Sequence, residues 1–145
     1  MRPCSGRGSP LDAKTLKVLW AFTEGKRLRL GVTSTDTYGC CPECGARTDS
    51  MHDVYIQTVI DRPIDNYLVE LDIIKRRWKC TNRDCWVVTF GESIEGVRPR
   101  SRYTEAFRDF SRDLSDQLGY AGAIEYLQSN YDLKTSIATV FYASL

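Results

Sequence analysis

Two pairs of cysteines constrain this chain more than any other feature. Cys41 and Cys44 are separated by two residues, Cys80 and Cys85 by four, and 35 residues lie between the pairs. Thiolates supplied in twos from either end of a loop form a tetrahedral cage, and zinc takes four sulfur ligands at about 2.3 Å. A shell filled entirely by protein leaves no open position for substrate, so such an ion is structural. Pro42 sets the turn of the first pair, and Gly45 follows Cys44 where backbone amides can point at the sulfur. The competing pattern is a pair of disulfides or unrelated buried thiols. No apolar stretch follows a charged start at the N-terminus, so a reducing compartment is the default, and there this spacing indicates one structural Zn2+.

The remaining thiols and the single histidine are weaker candidates. Cys40 would give a three-residue spacing to Cys44, which some zinc sites use, but Cys41 gives the tighter knuckle. Cys4 lies in a Gly/Ser/Pro/Arg stretch and reads as a free thiol. His52 stands eight residues past Cys44, too far for a compact knuckle, and reads as a surface or hydrogen-bonded side chain.

A chain of 145 residues, 42% hydrophobic and 27% charged, has the composition of an ordinary globular protein. A small core gains much from a metal staple. No apolar run approaches the roughly 18–20 residues that span a bilayer, so no membrane partner is expected. The net charge of +1 says little about nucleic acid, but its distribution is uneven. Lys75, Arg76, Arg77, Lys79 and Arg83 surround the second cysteine pair against Asp84 alone, and Arg98, Arg100 and Arg102 follow as an alternating strip.

Hydrophobic periodicity divides the chain into a flexible tail (1–15), a β domain (16–97) and a helical domain (98–145). Leu16, Val18, Trp20 and Phe22 alternate with their neighbours, Glu24-Gly25 turns, and Leu28, Leu30 and Val32 alternate again, which is a hairpin signal. A strand over 54–60 is expected to stop at Asp61-Arg62-Pro63, because proline cannot donate to a ladder. Asp65-Asn66 turns, a long strand from Tyr67 to Trp78 runs into Cys80, and a short one from Trp86 to Phe90 leaves Cys85. Trp78 is expected to pack beneath the knuckle. From Tyr103 the period becomes helical: Thr104 is an N-cap, Phe107, Phe110, Leu114 and Leu118 share a face, and Gly119 ends the helix. A second helix is expected around Ala123, Ile124 and Leu127, and a third, after a break at 130–132, carries Leu133, Ile137, Val140 and Phe141. The expected fold is thus α+β: a zinc-stapled, ribbon-like antiparallel β domain followed by a three-helix, helix-turn-helix-like domain. A plain helical hairpin packed on the sheet is the alternative.

Several motifs in order resemble a known family. They are Cys41-Pro42-Glu43-Cys44-Gly45, Asp61-Arg62-Pro63, Lys75-Arg76-Arg77-Trp78-Lys79-Cys80, Cys85, Thr89-Phe90-Gly91-Glu92 and Arg102-Tyr103-Thr104. Their order resembles the N-terminal region of insertion-sequence transposases of the ISL-three type, over about residues 16 to 140. The resemblance implies a zinc finger and a helix-turn-helix that grip transposon-end DNA, with Cys41, Cys44, Cys80 and Cys85 as ligands. Arg62 departs from the family's usual apolar residue. The sequence stops at Leu145 without the acidic catalytic domain that follows in the family, so a truncated reading frame, a repurposed remnant or a fragment is expected.

Catalysis and a small-molecule substrate are not expected. Ser, Asp and Glu are scattered without acid–base spacing, and Gly6-Arg7-Gly8 has no strand before it. Double-stranded DNA is the expected partner. Lys75, Arg76, Arg77 and Lys79 are candidates for phosphates, Arg98, Arg100 and Arg102 for an arm, and Lys134, Thr135, Ser136 and Thr139 for the start of a recognition helix. Six acids against three bases from Thr104 onward weigh against that helix as a DNA ligand. The rival expectation is a protein-interaction module docking on a nucleic-acid-processing assembly, with a protein partner or a homodimer. A cytoplasmic, nucleoid-associated location in a prokaryote goes with the first reading.

Overall fold

The computed structural model describes residues 16–136, 138 and 139. Its centre is a mixed sheet. Strands β1 (Leu16–Glu24) and β2 (Arg27–Ser34) form a hairpin around Gly25, whose φ of 59° is available to glycine without strain. Strands β5 (Met51–Ile64) and β6 (Tyr67–Lys79) form a second, longer hairpin around Asp65, also at positive φ. The two hairpins join through β2 and β6, which run parallel, so the order is β1-β2-β6-β5. Between them, β3 (Gly39–Cys40) and β4 (Arg47–Thr48) make a separate two-stranded ribbon. Strand β7 (Thr89–Gly91) pairs with Arg77–Lys79, extending the sheet where β2 has ended.

One face of the sheet carries the main core. Leu30, Val32, Val59, Val69, Leu71 and Ile73 are buried there, and Ile94 and Val97 from the following loop close over them. These residues alternate along each strand, as one-sided burial of a pleated sheet requires. A second cluster forms where the helix α1 (Glu105–Tyr131) packs Phe107, Leu114, Ala123 and Leu127 on Leu68. Thr104 caps α1 by accepting from the Phe107 amide at 3.1 Å, and its hydroxyl donates to the buried Asp61 carboxylate at 2.6 Å. Residues 102–104 run beside the outer edge of β5: the Ile60 amide donates to the Arg102 carbonyl and the Thr104 amide to the Ile60 carbonyl.

The helical part departs from expectation. The described residues hold one helix, broken at Gly119 (φ 72°, ψ 172°), instead of a three-helix, helix-turn-helix-like domain, and the sheet is mixed instead of antiparallel. The break at Gly119 falls where the first helix was expected to end, and the helical segment beyond it, which carries Ala123, Leu127 and Tyr131, packs on the same cluster. Asp132 then ends it in the left-handed conformation, with its amide bonded to the Gln128 carbonyl. Leu133–Ser136 are not helical, Ala138 and Thr139 are, and Ile137, Val140 and Phe141 of the expected third helix lie outside the described residues. Two strand limits also moved. β5 continues through Pro63 to Ile64, because Pro63 falls in an irregularity between Asp61 and Ile64 where no ladder donor is needed. The strand after Cys85 begins only at Thr89, because residues 85–88 are taken up by the second knuckle.

Candidate metal centre

Each cysteine pair lies in a tight turn at the end of a strand. In the first, the Cys41 amide bonds to the Ala46 carbonyl and the Gly45 amide to the Cys41 carbonyl, both at 2.9 Å, with Gly45 at φ 73°. In the second, β6 runs straight into Cys80, whose amide reaches the Val88 carbonyl at 3.0 Å, and the Cys85 amide reaches Asn82 at 3.1 Å. The Lys79 amide donates to the Ser50 carbonyl at 2.8 Å, which ties the second turn to the segment that leaves the first.

The four sulfurs of Cys41, Cys44, Cys80 and Cys85 all lie within 4.8 Å of one another. Cys41 Sγ is 3.9 Å from Cys85 Sγ, and Cys44 Sγ is 3.7 Å from Cys80 Sγ. A zinc–sulfur bond of about 2.3 Å in a regular tetrahedron gives sulfur–sulfur edges of about 3.8 Å. The cage therefore fits zinc, and its separations are far beyond the roughly 2.05 Å of a disulfide. These residues hold one structural zinc ion.

The electrostatics show why the cage needs a cation. The Ala46 amide and then the Asn82 side chain bring the Cys44 thiol down to about 6. The Val87 amide pulls Cys85 downward, but desolvation and the neighbouring thiols push it up to about 12. At Cys80 the Asn82 amide is likewise outweighed by desolvation and by Cys44 and Cys41. Four thiolates this close repel one another, and a divalent ion removes that penalty.

Beneath the cage, Trp78 is buried with Cys41 and Phe90, and Cys80, Cys85 and Val87 pack around them. A side chain at Gly39 would meet the Trp78 ring at 2.3 Å, so the first turn can approach the indole only because residue 39 has none. The Arg76 guanidinium lies over the Trp78 ring, 4.7 Å from its centroid. The contributions of Gly39, Asn82 and Val87 had no distinct signal in the sequence, because backbone approach and amide direction have no residue signature. Cys40 is half-buried in β3 and His52 exposed in β5, neither in the sulfur cluster, and Cys4 lies outside the described residues.

The basic candidates are scattered. Lys75 is buried, its ammonium 3.0 Å from Gln57 Oε1. Arg76 is paired with the buried Glu92 at 2.7 Å, Arg77 with Asp53 at 3.0 Å, and Arg98 with Glu105. Lys79, Arg100 and Arg102 are exposed, as is Arg83 in the second knuckle. Lys134 is exposed and Thr135 half-buried; Ala138 and Thr139 are helical, and the Thr139 amide donates to the Ser136 hydroxyl at 3.2 Å.

Strand-end turns that bring four thiolates together on a small β scaffold define a zinc ribbon. Residues 37–85 match the family described as the zinc-finger of transposase IS204/IS1001/IS1096/IS1165. The chain thus carries a transposase-type zinc ribbon, while the β1–β2 hairpin and α1 lie outside the match. No curated protein and no solved structure matches the chain. No described helix is long and apolar enough to cross a membrane.

Proposed function

We propose that this is a non-catalytic, transposase-derived DNA-binding protein in which the zinc ribbon presents cations to duplex DNA. The observation that carries the reading is the transposase zinc-finger match over 37–85 together with its sulfur cage. The cations best placed for phosphates are Lys79 and Arg83 on the ribbon and Arg100 and Arg102 beside β5. All four are exposed and none is in an ion pair among the described residues. Arg76 and Arg77 would first have to leave their carboxylates, and Lys75 would have to leave the interior.

The test is a titration of duplex DNA at several salt concentrations. Removing one cation that neutralises a phosphate flattens the log–log salt slope by about 0.9. Changing Lys79, Arg83, Arg100 and Arg102 together to Ala should flatten it by about 3–4. An unchanged slope, or no binding near 50 mM salt, refutes the reading. A protein-interaction module is the second reading, favoured by Trp86 and Val88, which stand 76% and 77% exposed beside Cys85. Co-purification of a protein through a Trp86-dependent interface, without DNA binding, supports it.

A further inference from the structure

We propose that β1 is the edge through which two copies of this chain pair, antiparallel about a two-fold axis passing beside Ala21. The two outer edges of the sheet are treated differently. Residues 102–104 run along part of β5, whereas no described segment pairs with the outer side of β1. β1 is nine residues long, contains no proline, and is exposed from Lys17 to Glu24. Its exposed residues are large and apolar: Val18 at 54%, Leu19 at 47% and Phe22 at 47%, with Trp20 stacked on Phe22 at 5.5 Å. A long apolar edge without proline or interior charge is a template for another strand.

The residues of β1 also fit a second copy of themselves. Val18 pairs with Val32 and Trp20 with Gly31, so Leu19 is a bulge that re-phases the strand. The bulge puts Lys17, opposite Thr33, on the same face as Trp20, Phe22 and Glu24, which lie opposite Gly31, Arg29 and Arg27. The other face carries Val18, Ala21 and Thr23. Turning the strand about Ala21 then sets Lys17 against Glu24 of the second copy, Val18 against Thr23, and Trp20 against Phe22. Every pair shares a face, the smallest residue falls on the axis, and the only two charges of the strand meet with opposite sign at both ends. Neither charge has an ion-pair partner among the described residues. Without the bulge, Lys17 and Glu24 would face opposite ways and no two-fold register could join them. This inference rests on the edge alone and does not depend on DNA binding.

The test is sedimentation equilibrium of the zinc-loaded chain across a concentration series. The chain is expected to dimerise. Lys17→Glu and Glu24→Lys each turn two attractive cross-strand pairs per dimer into repulsive ones and should weaken the dimer about tenfold. The double exchange Lys17→Glu with Glu24→Lys restores both pairs and should return the dissociation constant to near the original value. Ala21→Arg sets two guanidinium groups together on the axis and should give monomer. Circular dichroism and zinc content should be unchanged in all four. A chain that is monomeric at every concentration, a dimer indifferent to these changes, or a double exchange no tighter than the singles overturns the proposal.

Discussion

Replacing Thr104 with Val tests the joint between sheet and helix. The hydroxyl does two jobs in a fully buried place: it accepts from the Phe107 amide and donates to Asp61 Oδ1. Valine has nearly the same shape, so no cavity is made and the loss is polar. Removal of an N-cap acceptor costs about 1 kcal/mol. Loss of a hydrogen bond to a buried carboxylate costs about 1.5–3 kcal/mol. The expected destabilisation is about 2–4 kcal/mol, which at a urea m-value of about 2 kcal/mol/M lowers the midpoint by about 1–2 M. Thr104→Ser keeps the hydroxyl and should fall within about 1 kcal/mol of the original chain. The zinc content should not move, because Asp61 pairs with Val69, about 35 Å along β6 from Cys80. A Val variant within about 0.5 kcal/mol of the Ser variant would show that capping and the Asp61 bond do not hold α1.

Two further perturbations address the staple and the buried ammonium. Undenatured protein should contain about one zinc per chain, and a chelator should release it together with the burial of Trp78, seen as a red shift of emission in a Trp20→Phe, Trp86→Phe background; unaltered emission after complete zinc loss contradicts the staple. Acid should release the ion as well, since all four sulfurs must be deprotonated to bind. Burial holds the Lys75 pKa below 10.5, against the attraction of Glu92. Between that lowered value and 10.5 the unfolded chain keeps a proton that the folded chain has given up, so this group makes stability rise with pH in that window. Lys75→Met should remove the rise in urea midpoint below pH 10 and leave the neutral-pH stability equal or higher; an identical pH profile in both proteins refutes the assignment. The comparison must stay below 10, because burial raises the Tyr55 and Tyr103 hydroxyls and reverses the slope above it.

The features legible in the sequence are those set by neighbours in the chain. Alternation in 16–32, the Asp65-Asn66 turn and the Thr104 cap are local patterns, and the structure contains a hairpin, a turn and a cap at those places. The two cysteine spacings are also local, and the long strand ending at Cys80 explains how they meet. The parallel join of β2 to β6 was not legible, because it is chosen by which buried faces match after both hairpins exist. The break at Gly119 was legible as well: its φ of 72° and ψ of 172° interrupt the helical backbone, and a second helical segment carries Ala123 and Leu127 onto the same cluster. The partners of the basic run were not legible. Residues 75–77 sit inside a strand, so alternate members face opposite sides, and their acids come from Asp53 and Glu92, distant in sequence.

β6 connects all these parts. Its first residues hold Leu68 against α1, its middle fills the sheet core, and its end sets Trp78 beneath the zinc cage and leads into Cys80. The cage and the helix therefore sit at opposite ends of one thirteen-residue strand. A rigid spine of this kind fixes where Lys79 and Arg83 stand relative to Arg100 and Arg102, which follow β7 back along the sheet. In a two-fold pair through β1, the axis would lie two strands away from β6, and each ribbon would be held at a set distance from its mate. Such a pair would present two equivalent cationic sites, so DNA carrying two inverted copies of a site should bind more tightly than one copy, and with a fixed preferred spacing. Equal affinity for one copy and two, in a protein shown to be dimeric, would mean that the ribbons are not the surfaces that meet the phosphates.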